Sequence, residues 1–297
     1  SATTCSSTAA SGGSWARTAN RGPRPYRRRP PAPYYREGMA DLLVSHLGLV
    51  PYAEALTLQH ALRQARIDGR IPDVLLLLEH PPVITRGRRS ADTDLVLGED
   101  FLREHGVDVI TTQRGGLATY HGPGMLVGYP IVRTGDVVGY LRTLERALVS
   151  ALAQEGIHAR QRESTPEQNL TGVWVGGPDE LTAQGAPLRP DGTPVPWAGT
   201  HRKIASLGVH LSHGVSAHGF AIGADNDLAP WDWFTPCGLP DVRMTSLAQE
   251  TGRVETLPCL RKRVAVAVAR ELGLRQRLIS RVRLEVLAGV PSATSAA

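Results

Sequence analysis

Cysteine is scarce: three residues, at positions 5, 237 and 259, in a chain of 297. No Cys-x-x-Cys occurs and no His/Cys grouping has zinc spacing. An odd, small count fits a reducing compartment, and a cytoplasmic location is expected. Long apolar runs are missing as well. The longest unbroken aliphatic stretches, Val74 to Leu78 and Val264 to Ala269, fall far short of the ~18 residues that read as a membrane span. They fit a buried strand or part of a buried helix.

The formal charge of +5 invites a nucleic-acid reading, and its placement removes it. Residues 1–38 hold seven arginines against one acid, Glu37. Of the 33 basic and 28 acidic residues, 26 and 27 remain for the rest of the chain, a net of −1. The basic excess belongs to the tail, so neither nucleic acid nor a membrane is an expected partner. Residues 1–38, rich in Ser, Thr, Ala, Gly, Pro and Arg, lack apolar periodicity and should be disordered. They read as sequence upstream of a start at Met39, the alternative being an organellar transit peptide.

Hydrophobic residues make up 41%, enough for a core. Tyr52 to Arg66 has helical spacing, with Ala55, Leu58, Leu62 and Ala65 recurring at three and four. Val137 to Glu155, closed by Gly156, and Leu260 to Leu272 are further helices. Strands are expected at 73–79, 107–111, 125–132, 172–176, 203–211 and 215–223. Without a strict strand–helix–strand repeat, the fold class is α+β with a mixed or antiparallel sheet and flanking helices. The domain spans 39–286, with 176–201 an exposed loop and 287–297 a frayed end.

Three segments carry candidate chemistry. Arg114 to Gly124 reads RGGLATYHGPG, with four glycines that let backbone approach a ligand closely. It is no P-loop, for the Lys-Ser/Thr ending is missing, and its plain alternative is a tight turn. Lys203 opens KIASLGVHLS, where a lysine is ordinarily a solvated strand end. Cys237 stands between Pro236 and Gly238, a turn context that should expose its sulfur, whereas inert cysteines are commonly buried. Cys259, at a helix start, reads as packing. His121 and His218 read as hydrogen-bonding or core residues beside the pocket.

RGGLATYHGPG followed by LVGYPI, then GVW (172–174), Lys203, SLG (206–208), HGFA (218–221) and PCG (236–238), resembles the lipoyl(octanoyl) transferase family of LipB type. The earlier LLLLEHPPVITRGRRSAD (75–92) fits too, and the likeness runs roughly from Leu47 to Leu272. The resemblance implies a fold shared with the catalytic domain of lipoate and biotin protein ligases. It implies transfer of octanoate from acyl carrier protein to the lipoyl-domain lysine of 2-oxoacid dehydrogenases and the glycine cleavage H protein. No cofactor is implied, and a monomer is expected. Cys237 would form the acyl thioester, with Lys203 lowering its pKa and carrying protons. The pocket would be lined by Arg114, Gly115, Gly116, Leu117, Ala118, Thr119, Tyr120 and His121, by Ser206, Leu207 and Gly208, and by Gly219, Phe220 and Ala221. The chain departs from the family pattern at Leu117, Met125 and Gly223, where polar side chains are usual.

The residues agree with that chemistry. An ordinary thiol is only about 3% thiolate at neutral pH, and a nearby ammonium favours the anion. Arg86, Arg88, Arg89 and Arg114 are the candidates for steering acidic partners. The rival readings are an ATP-dependent lipoate ligase, which needs no cysteine, a cysteine thioesterase, and a non-catalytic acyl-binding module.

Overall fold

The computed structural model describes residues 38–91, 94–165, 168–181, 187–190, 192–195, 197–239 and 242–290. The chain divides between Gly38 and Met39, and everything below concerns the unit that begins at Met39. The expected disorder of residues 1–38 falls almost wholly outside the described residues.

Strand β2 (Asp73–Glu79) shows how the sequence dictates the layers. Its apolar run is unbroken because both faces are covered. Leu75 and Leu77 enter one core cluster while Val74, Leu76 and Leu78 enter another, as the two-residue period of a strand requires. β2 pairs in parallel with β1 (Asp41–Leu49) and antiparallel with β6 (Met125–Ile131). Beyond β6 the sheet continues antiparallel through β10 (Val215–Gly223), β9 (His201–Ser212), β8 (Val173–Gly176) and β7 (Ala159–Arg160). β12 (Arg275–Leu278) extends it in parallel beside β1, and β11 (Arg243–Met244) pairs in parallel with β9. A second sheet holds β4 (Asp108–Thr111), β3 (Val83–Arg86) and β5 (Thr119–His121), with β3 in the middle.

Helices cover both faces of the large sheet. α3 (Val137–Ala153) and α5 (Leu257–Glu271) bury Leu144, Leu148, Val264 and Val268 with Leu75, Leu77 and Ile222. α1 (Tyr52–Ile67) and α6 (Arg281–Ala288) bury Leu58, Leu62 and Leu284 with Leu76 and Val127. α2 (Gly98–Glu104) and α4 (Leu247–Thr251) are short. Asp136 caps α3 by accepting a hydrogen bond from the Gly139 amide. This is the expected α+β sandwich of helices on a mixed, mainly antiparallel sheet.

Three sequence expectations need correction. The frayed end was placed from Leu287, yet α6 runs through Ala288, which is buried, and Val290 also packs on the core. Residues 291–297 lie outside the described residues. The loop 176–201 exposes Leu181, Leu188 and Trp197 but is anchored: Arg189 donates to the Gln249 carbonyl and Val195 is buried. β12, read as no element at all, has the sequence RQRL without apolar alternation. It is an edge strand held by backbone pairing to β1 and by Arg275 and Arg277 on Asp41, each at 2.7 Å.

Candidate active site

Lys203 is no solvated strand end. It is the third residue of β9, inside the antiparallel half of the sheet, and only 2% exposed. Burying an ammonium is costly unless its surroundings compensate. Its Nζ donates to Cys237 Sγ at 3.3 Å and lies 5.4 Å from the centre of the Trp174 ring. Trp174 is itself fixed, its indole N–H donating to the Leu170 carbonyl at 2.9 Å.

The lysine stem passes over Gly172. A Cβ there would stand 2.4 Å from Lys203 Cε, and the φ of +146° is one that other residues rarely adopt. The Gly172 amide donates to the carboxylate of Glu145, a buried residue of α3, at 2.7 Å. Glu145 in turn pairs with Arg142 at 2.8 Å. Gly172→Ala is therefore expected to push Lys203 off the thiol and slow single-turnover acylation on the order of 10²-fold, measured well below the unfolding midpoint. A variant at wild-type rate would show that the lysine tolerates displacement.

Cys237 departs from expectation. It sits on the turn anticipated for Pro236 to Gly238, but it is half-buried, with its sulfur turned inward to Lys203. Its φ of +55° is strained for a residue with a Cβ, and its amide donates to the Ala118 carbonyl at 3.0 Å. Gly238 follows at φ +66°, and a Cβ there would meet Leu117 Cδ1 at 2.3 Å. The family departure at Leu117 thus puts an apolar cover on the cysteine turn. Burial by itself pushes the Cys237 thiol up. The Lys203 ammonium, the Ser206 hydroxyl (3.7 Å from Sγ) and the Arg114 guanidinium outweigh it, and the thiol titrates below its ordinary value.

These groups lie in a cavity of about 620 Å³, its open mouth included. One wall is the β9–β10 pair, in which Ser206 faces Ala221, Gly208 faces Gly219 and Val209 faces His218. Three residues along β9 give that wall a length of about 10 Å. Ser206, Leu207, Gly208, Gly219, Phe220 and Ala221 all line the cavity, as do Arg114, Gly116, Leu117, Thr119 and His121. The other three expected residues do not. Gly115 spends its amide on the Val209 carbonyl, Ala118 offers its carbonyl to Cys237, and Tyr120 packs against Trp231. The alternation of β5 explains why Tyr120 faces away from Thr119 and His121.

Sequence reading missed Tyr52, Tyr129, Asn169 and Thr171, all on the lining, and Arg89, expected only to steer partners, lines it as well. His218, read as a core neighbour, lines it too, with φ +59° and its amide captured by buried Gln59 at 2.8 Å. Burial holds His80 down at about 4 and His218 at about 3, and pushes His121 well below the ordinary histidine value. All three imidazoles are neutral near pH 7.

Gly223, another departure, is sterically required. A Cβ there would lie 2.4 Å from the Thr245 carbonyl and 3.0 Å from Ser246 Cα, both backbone. Gly223→Asn, which restores a polar side chain, is expected to destabilise the protein by about 1–3 kcal/mol in denaturant unfolding. Met125, the third, is buried in the core beside α1. Among the described residues no group of three or more His, Cys, Asp or Glu could hold a metal, and no helix is long and apolar enough to cross a membrane.

A mixed sheet with helices on both faces and a cavity along one antiparallel strand pair places the chain in the class of lipoate-ligase-like catalytic domains. The lipoyl protein ligase A/B catalytic domain family matches residues 51–269. The fold is similar to that of lipoate-protein ligase A bound with ATP, with a TM-score of 0.58, 17% identity, and coverage of 84% of this chain and 93% of that one. A bipartite lipoate protein ligase from Thermoplasma acidophilum gives a TM-score of 0.58 at 18% identity, covering 84% and 91%. Curated octanoyltransferases are much more similar in sequence. That of Rubrobacter xylanophilus is 41% identical over 230 residues, covering 76% of this chain and 91% of its own. That of Acidothermus cellulolyticus is 41% identical over 245 residues, covering 81% and 96%. The chain belongs to the LipB-type octanoyltransferase family and is an acyltransferase of protein lipoylation.

Proposed function

We propose that the chain carries an octanoyl, or lipoyl, group from acyl carrier protein to a lysine of lipoyl domains through a thioester on Cys237, the first step of endogenous lipoylation. The observation that carries this reading is the buried Lys203 ammonium at 3.3 Å from the half-buried Cys237 thiol, at the wall of an open-mouthed cavity. The thiolate attacks the donor's thioester carbonyl, and the acyl–sulfur bond to the donor breaks. The departing donor thiolate takes a proton from Lys203. The acceptor amine then attacks the Cys237 thioester, gives a proton to the now neutral Lys203, and leaves as an amide while Cys237 returns as thiolate. Thioester energy drives both steps, so no ATP enters. The apolar wall formed by Leu207 and Phe220 suits the acyl chain. The lipoyl-domain acceptors are those of 2-oxoacid dehydrogenases and the glycine cleavage H protein, and the enzyme acts as a cytoplasmic monomer.

Intact-mass measurement after mixing with octanoyl carrier protein tests the reading. The mass should rise by one octanoyl group that hydroxylamine removes and that a lipoyl domain takes over. Turnover with free octanoate and ATP, without any adduct from the thioester, would favour a ligase. Release of free acid to water in place of transfer would favour a thioesterase.

A further inference from the structure

Of the four arginines expected to steer partners, the structure withdraws two. Arg114 is buried, donating to the Thr85 hydroxyl and carbonyl and to the Gly115 carbonyl. Arg86 pairs with Glu99 at 3.3 Å. Arg88 and Arg89 are different. Both are exposed, and neither has an acidic partner among the described residues, whereas most arginines of the domain are ion-paired. Arg89 lines the mouth of the cavity that holds Cys237, and Arg88 lines a shallow surface depression next to it, with Gly87, Ser90, Thr112 and Gln113.

This turn is fixed to the cavity wall. The Arg88 amide donates to the Arg114 carbonyl at 3.1 Å, the Arg89 amide to the Gly116 carbonyl at 3.3 Å, and the Ser90 amide to the Gly87 carbonyl at 3.0 Å. Gly87 presses so closely on the Gly116 carbonyl that a Cβ would stand 2.4 Å from it. Ser90 Oγ is buried and lacks a hydrogen-bond partner. One rigid turn thus carries two guanidiniums without an acidic partner among the described residues, Arg89 on the lining of the thiol-bearing cavity and Arg88 on the adjoining depression. Arginine's planar donor fork suits phosphate oxygens in particular.

We propose that Arg88 and Arg89 bind the phosphate of the donor's phosphopantetheine arm, so that the enzyme selects phosphorylated pantetheine thioesters over phosphate-free ones. The proposal rests on the reading that Cys237 accepts its acyl group from such a thioester. It separates recognition from chemistry: the phosphate is held at the gate while the thioester enters.

Two measurements test it. In the first, KM for acylation is compared among octanoyl-pantetheine, octanoyl-4′-phosphopantetheine and octanoyl carrier protein. The wild type should favour both phosphorylated donors over octanoyl-pantetheine, and Arg88→Ala/Arg89→Ala should shrink that preference about tenfold to a hundredfold. Arg88→Lys/Arg89→Lys should restore part of it. In the second, Cys237→Ala protein, which cannot turn over, is titrated calorimetrically with 4′-phosphopantetheine and with pantetheine. The phosphorylated compound alone should bind, and more weakly as salt rises. A loss confined to the carrier-protein donor would overturn the proposal in favour of an acidic protein face. Equal binding of the two arms would also overturn it. Failure of acylation with every donor would sink the transfer reading and leave the titration to decide the phosphate site.

Discussion

Cys237→Ala is expected to leave no octanoyl adduct after exposure to octanoyl carrier protein and to lower transfer on the order of 10⁴-fold or more. The nucleophile itself is gone, and no adjacent group substitutes for it. The Ser206 hydroxyl lies 3.7 Å from Sγ, but burial lowers the pKa of His121 and His218, the two histidines on the cavity lining, and leaves them weak bases. The stability of the same position carries a second signature. The φ of +55° at Cys237 strains any residue with a Cβ. Cys237→Gly should be more stable than Cys237→Ala by about 1 kcal/mol in denaturant unfolding. An adduct that persists in Cys237→Ala protein would move the nucleophile elsewhere. Equal stability of the two variants would show that the turn is relaxed.

Lys203 should separate the two half-reactions. Lys203→Arg keeps a cation beside Cys237, so acyl loading is retained in part. Arginine cannot give up its proton at any useful pH, so transfer to the acceptor amine should fall further, by roughly 10²-fold or more. Lys203→Met should impair both steps. The titration of the thiol gives an independent readout. In the wild type the charges of Lys203 and Arg114 and the Ser206 hydrogen bond outweigh burial, so thiolate appears below the ordinary thiol range. With methionine at 203, burial is less opposed and the midpoint of the alkylation rate against pH must move up. Single-turnover mass measurements and pH-dependent alkylation decide the matter. Wild-type loading, transfer and midpoint in Lys203→Met would take the lysine out of the mechanism.

A signal for Lys203 was present in composition and went unread. Of 33 basic residues only two, Lys203 and Lys262, are lysine. Where nearly every solvated cation has become arginine, a lysine marks a place that needs a proton donor able to let go, or a stem that fits over Gly172. Judged from its strand position alone, the same residue read as a solvated end. Tyr52 and Tyr129 had no such signal. They sit in ordinary helix and strand patterns, and only packing turns them toward the cavity.

Sequence alone determined the layered α+β plan, because the apolar runs of β2 and β6 and the three-and-four spacing of α1 and α3 are local properties of the chain. Through the family resemblance of its motifs it also singled out Cys237, Lys203 and the segments around Arg114, Ser206 and Gly219. Tertiary structure decided what those residues experience. It turned an expected exposed thiol inward, buried an expected surface lysine, and removed Arg114 from the surface. It also bound β12 into the sheet although its sequence carries no pattern. The reason is one of range. Periodicity reports the neighbours within a turn or two along the chain. The burial and charge that set reactivity at Cys237 come from Lys203, Arg114 and Trp174, tens of residues away, which meet only when the sheet has formed.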